Sequence, residues 1–157
     1  APHYQHSEIG FNYRMSNISA GIGRGQMQVL EERILQRRKM NQFYKDFFSE
    51  IEGVTVFSES NEDFFSNHWL SAILIDSSKT GGKSREDLRL ALEAENIESR
   101  PIWKPMHLQP VFQDYPYYGG SVSETIFKNG LCLPSGSNLL DIDKKRIKKV
   151  LHNFFEK

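Results

Sequence analysis

Apolar residues recur along the chain with two different periods, and the change of period marks the elements. From Ile9 to Met15 they alternate. Ile9, Phe11, Tyr13 and Met15 fall on one side of an extended segment, with Asn12, Arg14 and Ser16 on the other. From Ile18 to about Ile51 the spacing turns helical through Ile22, Val29, Leu30, Ile34, Phe43 and Phe47, which predicts one long helix with room for a single break. Ser16 or Asn17 is placed to cap it. Gly21, Gly23 and Gly25 oppose the helix, each costing about 1 kcal/mol relative to alanine. Gly21 and Gly25 share a face, so close approach of a neighbouring backbone is the expected compensation. This glycine run is not a dinucleotide loop: Gln26 stands where a third glycine is needed, and no strand and turn precede it.

Gly53 is expected to stop the helix and release a short strand over Val54–Phe57. A second strand is predicted over Trp69–Ile75, apolar and β-branched, ended by Asp76-Ser77-Ser78. Ser84 opens a helix with Asp87 placed for a capping box, and Leu88, Ala91 and Leu92 supply its period. Ile97–Ile102 adds a further strand. Pro101, Pro105, Pro110 and Pro116 keep Trp103–Gly120 mostly loop, with a short turn at Val111-Phe112. Ser121–Asn129 is helical, Leu131–Leu133 extended, and Ile147, Val150, Leu151 and Phe154 mark a closing helix. Few strands with helices between and beside them predict an α+β domain: one short, mainly antiparallel sheet covered by helices on one face.

The length of 157 residues suits one domain with one core. Twenty basic residues balance twenty acidic ones, so no global field recruits nucleic acid or a membrane surface. The basic run Lys144, Lys145, Arg146, Lys148 and Lys149 lies opposite Ile147, Val150 and Leu151 on one amphipathic helix and reads as a solvated face. No run reaches the roughly 18 apolar residues of a membrane span, and no basic-then-apolar leader is expected. The single cysteine, Cys132, reads as buried and inert and points to a reducing, cytoplasmic setting. Beginning without methionine, the chain is expected to be a piece of a longer protein.

Chemistry-bearing residues fall in two places. Asn12 and Arg14, aimed beside a fresh helix N-terminus, make an anion site, because free backbone N–H groups and the helix dipole both favour phosphate. A half-buried strand with Arg14 paired to Glu8 is the alternative. Trp103, Lys104 and His107 share one proline-stiffened loop that can stack a base or sugar and hold a diphosphate, with Arg100 as a further anion contact. The alternative there is a packed tryptophan and an exposed lysine. His3 and His6, with Glu8 near, are too loosely spaced to predict zinc, and no metal site is expected. His68 reads as a strand-end histidine, and Lys79 and Lys83 as turn residues beside Gly81-Gly82.

Three runs carry a resemblance: Ile9-Gly10-Phe11-Asn12-Tyr13-Arg14-Met15-Ser16-Asn17-Ile18, then Arg100-Pro101-Ile102-Trp103-Lys104-Pro105-Met106-His107-Leu108-Gln109-Pro110, then Leu131-Cys132-Leu133-Pro134-Ser135-Gly136-Ser137-Asn138-Leu139. Their order along the whole chain resembles the DegT/DnrJ/EryC1/StrS family of pyridoxal-phosphate sugar aminotransferases. The resemblance implies the small C-terminal domain of the aspartate-aminotransferase (fold type I) architecture, preceded by an interdomain helix at about 17–51. The large cofactor-binding domain, with its cofactor lysine, would lie outside this chain; Lys104 does not fit that role, so no catalytic residue is expected here and the chain alone should be inactive. It implies amino transfer, usually from glutamate, to a keto sugar on a nucleoside diphosphate, in an enzyme that is a homodimer. Asn12 and Arg14 would contribute to the neighbouring subunit's active site near the cofactor phosphate, and the Trp103–His107 loop would lie beside the nucleotide-sugar pocket. Two rivals remain: a pyridoxal-dependent sugar dehydratase of the same family, and a non-catalytic nucleotide-sugar-binding or assembly module.

Overall fold

The computed structural model describes residues 4–156. Its elements run α1 (Asn17–Met27), α2 (Leu30–Phe48), β1 (Val54–Val56), β2 (Ser71–Ile75), α3 (Arg85–Ala94), β3 (Arg100–Pro101), α4 (Val122–Asn129), β4 (Gly130–Leu133) and α5 (Asp141–Phe155), with two single 3-10 turns at Met106–Leu108 and Pro110–Phe112. The sheet is antiparallel throughout, in the order β1-β2-β4-β3.

Register decides the two faces. Ile73 pairs with Leu131 and Ser71 with Leu133, so Ile73, Ile75, Leu131 and Leu133 share one side. On it pack Met40, Tyr44 and Phe48 of α2, Leu88 and Leu92 of α3, and Ile147 and Leu151 of α5, all nearly excluded from solvent. The other face carries Ala72, Leu74 and Cys132 and ends at Arg100, which pairs with Cys132. The α+β layer with a helix-covered face is therefore present, built by α2, α3 and α5.

The predicted long helix does break once, at Gln28-Val29, where N–H groups bond back three residues to Gly25 and Gln26. Three glycines leave α1 with little propensity of its own, whereas α2 is rich in strong helix formers. α2 also ends sooner than expected. It stops at Phe48, and Gly53 serves the turn into β1 instead: its φ is +84°, and a Cβ there would lie 2.8 Å from Lys79 Cβ and 3.1 Å from the Asp76 carbonyl. A Cβ built on Gly21 or Gly25 would meet nothing within 4 Å, so the close backbone approach expected there is not made by the described residues. α1 buries none of its residues.

The arm before α1 departs most from expectation. Asn12 Oδ1 accepts the Arg14 N–H at 2.9 Å, and Arg14 takes φ +72°. This Asx turn breaks the extended alternation, because an asparagine two residues upstream offers the backbone a local partner that a strand would otherwise supply. Ile9, Phe11, Tyr13 and Met15 all remain exposed rather than half-buried. Ser16 caps α1 as predicted, accepting the Ser19 N–H at 3.2 Å. The capping box of Ser84 and Asp87 forms in full. Asn96 ends α3 at φ +54° and carries Ile97 into the core, which shortens the strand expected at Ile97–Ile102 to Arg100–Pro101.

Candidate functional site

The sheet face away from α2, α3 and α5 holds a depression of about 390 Å³ where β2 begins and β4 ends. Tyr4, Trp69, Arg100, Trp103 and the Cys132–Ser135 segment line it. The two indoles touch, with centroids 6.1 Å apart and planes tilted by 33°, and each is at least half exposed. Their outer faces are thus open to a flat ligand. Burial raises the pKa of the Cys132 thiol, which fits an inert wall residue.

Backbone anchors fix this wall. Arg37 of α2 donates one guanidinium nitrogen to the carbonyls of Trp69 and Ser135. Tyr44 Oη donates to the Pro134 carbonyl at 2.8 Å, and burial of that phenol drives its pKa upward. Ser135 Oγ accepts the Ser71 N–H and donates to the Leu133 carbonyl, both at 2.7 Å. A fourth anchor is Gln109, only 3% exposed. Its amide donates to the Tyr4 and Lys104 carbonyls, and its Oε1 accepts the His6 N–H at 2.9 Å. Gln109 thereby pins the start of the arm against the Trp103 loop.

The structure brings only some of the predicted residues together. Trp103 and Arg100 share the depression. The Arg100 guanidinium is engaged: Nε and Nη2 both meet Glu98 Oε1, at 2.7 and 2.6 Å, while Nη1 donates to Tyr4 Oη at 2.7 Å. Lys104 turns to Gln5, with Nζ 3.4 Å from its Oε1, and does not line the depression. His107 belongs to a separate aromatic hollow of about 420 Å³, where its ring stacks on Tyr117 at 3.8 Å and Nε2 lies 3.1 Å from Glu124 Oε1. Asn12 and Arg14 stand on the exposed arm, and among the described residues Arg14 makes no ion pair, so the pairing with Glu8 is not formed.

Sequence reading passed over Tyr4, Trp69, Glu98 and Gln109. A glutamine between Leu108 and Pro110 in a proline-rich loop carried a usable signal, since such a segment needs side-chain partners for its backbone. The other three sit far apart in the chain and are united only by the sheet. Another hollow, of about 770 Å³, lies between α2, the Lys79–Lys83 turn and α5. Charges of both signs line it, among them Lys148, Glu50 and Glu52, and the Lys83 ammonium donates to the carbonyls of Phe154 and Phe155. His3 lies outside the described residues; among those described, no group of three or more His, Cys, Asp or Glu residues is placed to hold a metal, and no helix is long and apolar enough to cross a membrane.

A partly buried ionic cluster sets the turn that delivers Trp69. Arg38 Nη1 meets Glu59 Oε1 at 2.9 Å, and His68 Nε2 lies 3.3 Å from the same oxygen, with His68 at φ +45° and 7% exposed. His68 is therefore a packed residue of this cluster, more than the strand-end histidine expected. Backbone N–H and Arg38 bonds hold Glu59 down to about 2, from an ordinary 4.5, and desolvation keeps His68 below its ordinary 6.5. Both shifts leave the fold less stable in acid than at neutral pH: burial penalises a charged His68 below about pH 6.5, and the stabilisation from ionised Glu59 is lost as pH falls from 4.5 towards 2. The urea midpoint is expected to drop between pH 7 and pH 3, and Glu59→Gln to drop less over that interval. An equal slope in the variant would detach the acid response from this cluster.

Residues 1–153 match the profile of the DegT/DnrJ/EryC1/StrS aminotransferase family. The chain belongs to this family. Among its relatives is a protein of Bacillus subtilis (strain 168) named as a pyridoxal phosphate-dependent aminotransferase, EpsN, 45% identical over 99% of this chain and 40% of its own. The GDP-perosamine synthase of Escherichia coli O157:H7 is 34% identical over 87% of this chain and 35% of its own. A DegT DnrJ EryC1 StrS aminotransferase from Brucella abortus superposes with TM-score 0.76 at 26% identity, covering 99% of this chain and 40% of that one. An E. coli GDP-4-keto-6-deoxy-D-mannose-3-dehydratase superposes with TM-score 0.72, also at 26% identity, over 90% of this chain and 36% of that one. The chain thus spans about two fifths of the length of the relatives it matches.

Family aminotransferases use pyridoxal phosphate, and the described residues fit one part of that group. The Arg14 guanidinium, without a partner among the described residues and two residues ahead of the Ser16 cap, offers the planar donor fork that phosphate oxygens accept.

Proposed function

We propose that this chain is the C-terminal domain of a pyridoxal-phosphate-dependent aminotransferase that moves an amino group, usually from glutamate, onto a nucleotide-linked keto sugar. The family match over residues 1–153 carries this reading. When bound, the cofactor carries the amino group between donor and acceptor, and a lysine of a large domain upstream of this chain holds it. The share of this chain is to build one wall of the sugar-nucleotide pocket from Trp69, Trp103 and Arg100, and to extend Asn12 and Arg14 towards the cofactor phosphate of a partner subunit. The bare surface of α1, with Ile18 and Ile22 exposed and Gly21 and Gly25 open, supports a role as the interdomain helix that other parts of a dimeric enzyme cover.

The dehydratase neighbour, as similar in sequence as the Brucella aminotransferase, keeps a second reading in view. A dehydratase removes water from the sugar without adding nitrogen. Incubating the complete enzyme with pyridoxal phosphate, glutamate and a nucleoside-diphosphate keto hexose should yield 2-oxoglutarate and an amino sugar by mass spectrometry. The 157-residue chain alone should yield neither. Sugar that loses water and gains no nitrogen would select the dehydratase, and turnover by the chain alone would contradict the division of labour proposed here.

A further inference from the structure

We infer that the Trp69–Trp103 depression is a base subsite that selects guanine, through Glu98. The inference rests on the nucleotide-sugar reading above and names the base which that reading leaves open. Arg100 directs two donors onto Glu98 Oε1 and holds that side chain in place, and a carboxylate is an acceptor with no proton to give. Glu98 Oε2 has no partner among the described residues, and both of its lone-pair sites are available. Next along the same wall, Ser99 Oγ is buried with no hydrogen-bond partner, an uncompensated polar atom that a ligand would relieve.

The chemistry of that acceptor discriminates among bases. Guanine presents two adjacent donors on its Watson–Crick edge, N1–H and the 2-amino group, with no acceptor between them. Thymine and uracil present one donor, N3–H, flanked by two carbonyl oxygens that the carboxylate repels. Adenine sets its single amino group beside the N1 acceptor, and cytosine sets its own beside N3. A carboxylate held in place by Arg100 therefore favours guanine, while the open faces of the two indoles stack any base alike. A well-made pair of such contacts discriminates by a factor of about 5 to 150.

The molecule supplies its own reporter, because its only two tryptophans are Trp69 and Trp103. GDP, dTDP, UDP and ADP would be titrated into the full chain, with indole fluorescence excited beyond the absorption of the bases. GDP should quench at a concentration about tenfold or more below the other three. Glu98→Gln should weaken GDP and bind dTDP at least as well as the parent, because the repulsion of the thymine carbonyls is gone, so the guanine preference is lost; Glu98 is 72% exposed, so the variant keeps its fold. Trp103→Ala should weaken all four together. Equal affinity for GDP and dTDP, or an E98Q chain that keeps the guanine preference, would overturn the base assignment and leave the nucleotide-sugar reading standing. Quenching by none of the four would overturn the base subsite itself.

Discussion

An Arg14→Ala variant of the complete enzyme is expected to release pyridoxal phosphate about 10- to 100-fold more readily than the parent, at an unchanged melting temperature. Hydrogen bonds to a charged group contribute about 1.5–3 kcal/mol, which sets that range. Among the described residues no partner competes for the guanidinium, and its removal leaves no buried group of theirs unpaired. The left-handed backbone at Arg14 adds a control. Arg14→Gly relaxes the φ and removes the fork, so it should lose cofactor like the alanine variant without any cost in folding. Arg14→Lys keeps the charge without the planar fork and should fall between. Dialysis followed by cofactor absorbance reads all three. Cofactor retention equal to the parent would leave Arg14 a turn residue and withdraw the phosphate assignment.

Leu131→Ala is expected to destabilise the chain by about 2–5 kcal/mol, a large part of the 5–15 kcal/mol that holds an ordinary domain. Leu131 is fully buried at the centre of the sheet, with Ile73 opposite on β2 and Pro101 opposite on β3. Strands on both sides, and helices above, prevent the site from collapsing onto a smaller side chain. The matched exposed substitution, Ile22→Ala on α1, should move the midpoint of the same chain by less than about 0.5 kcal/mol, because Ile22 is 62% exposed. Urea unfolding followed by indole fluorescence measures both. A loss below about 1 kcal/mol at Leu131, or a large one at Ile22, would contradict the core described here.

The strongest local signals in the sequence named the right elements and misplaced some of their ends. The Ser84–Asp87 capping box and the Ser16 cap are three-residue chemistries, complete within the segment that shows them, and both form. Helical period found α2 and α5 because each turns one apolar stripe to one core. Strand limits depended on partners elsewhere. β2 starts at Ser71, after the backbone has turned at His68 within the cluster with Glu59 and Arg38, and nothing adjacent to Trp69 reveals that cluster. Alternation misled in the arm, since Asn12 can serve the Arg14 N–H locally and no neighbouring strand offers more.

The candidate site divides along the same line. Family motifs placed Arg14, Trp103 and Arg100 on the functional list from the sequence. His107 and Lys104, close neighbours of Trp103 in the chain, leave it for Glu124 and Gln5, because proline-bounded 3-10 turns rotate successive side chains of that loop in different directions. Tyr4 and Trp69 join it from distant segments, and Glu98 from two residues before Arg100. Local hydrogen-bonding chemistry and apolar period are properties of a few consecutive residues, and these the sequence carries by itself: the caps, the helices, the α+β class and the family. A pocket wall is made of residues joined by strand register and buried long-range bonds, here β4 between β2 and β3 with Arg37, Tyr44 and Gln109 as anchors. Those contacts exist only once the sheet has closed, so the tertiary structure alone decided which side chains face one another.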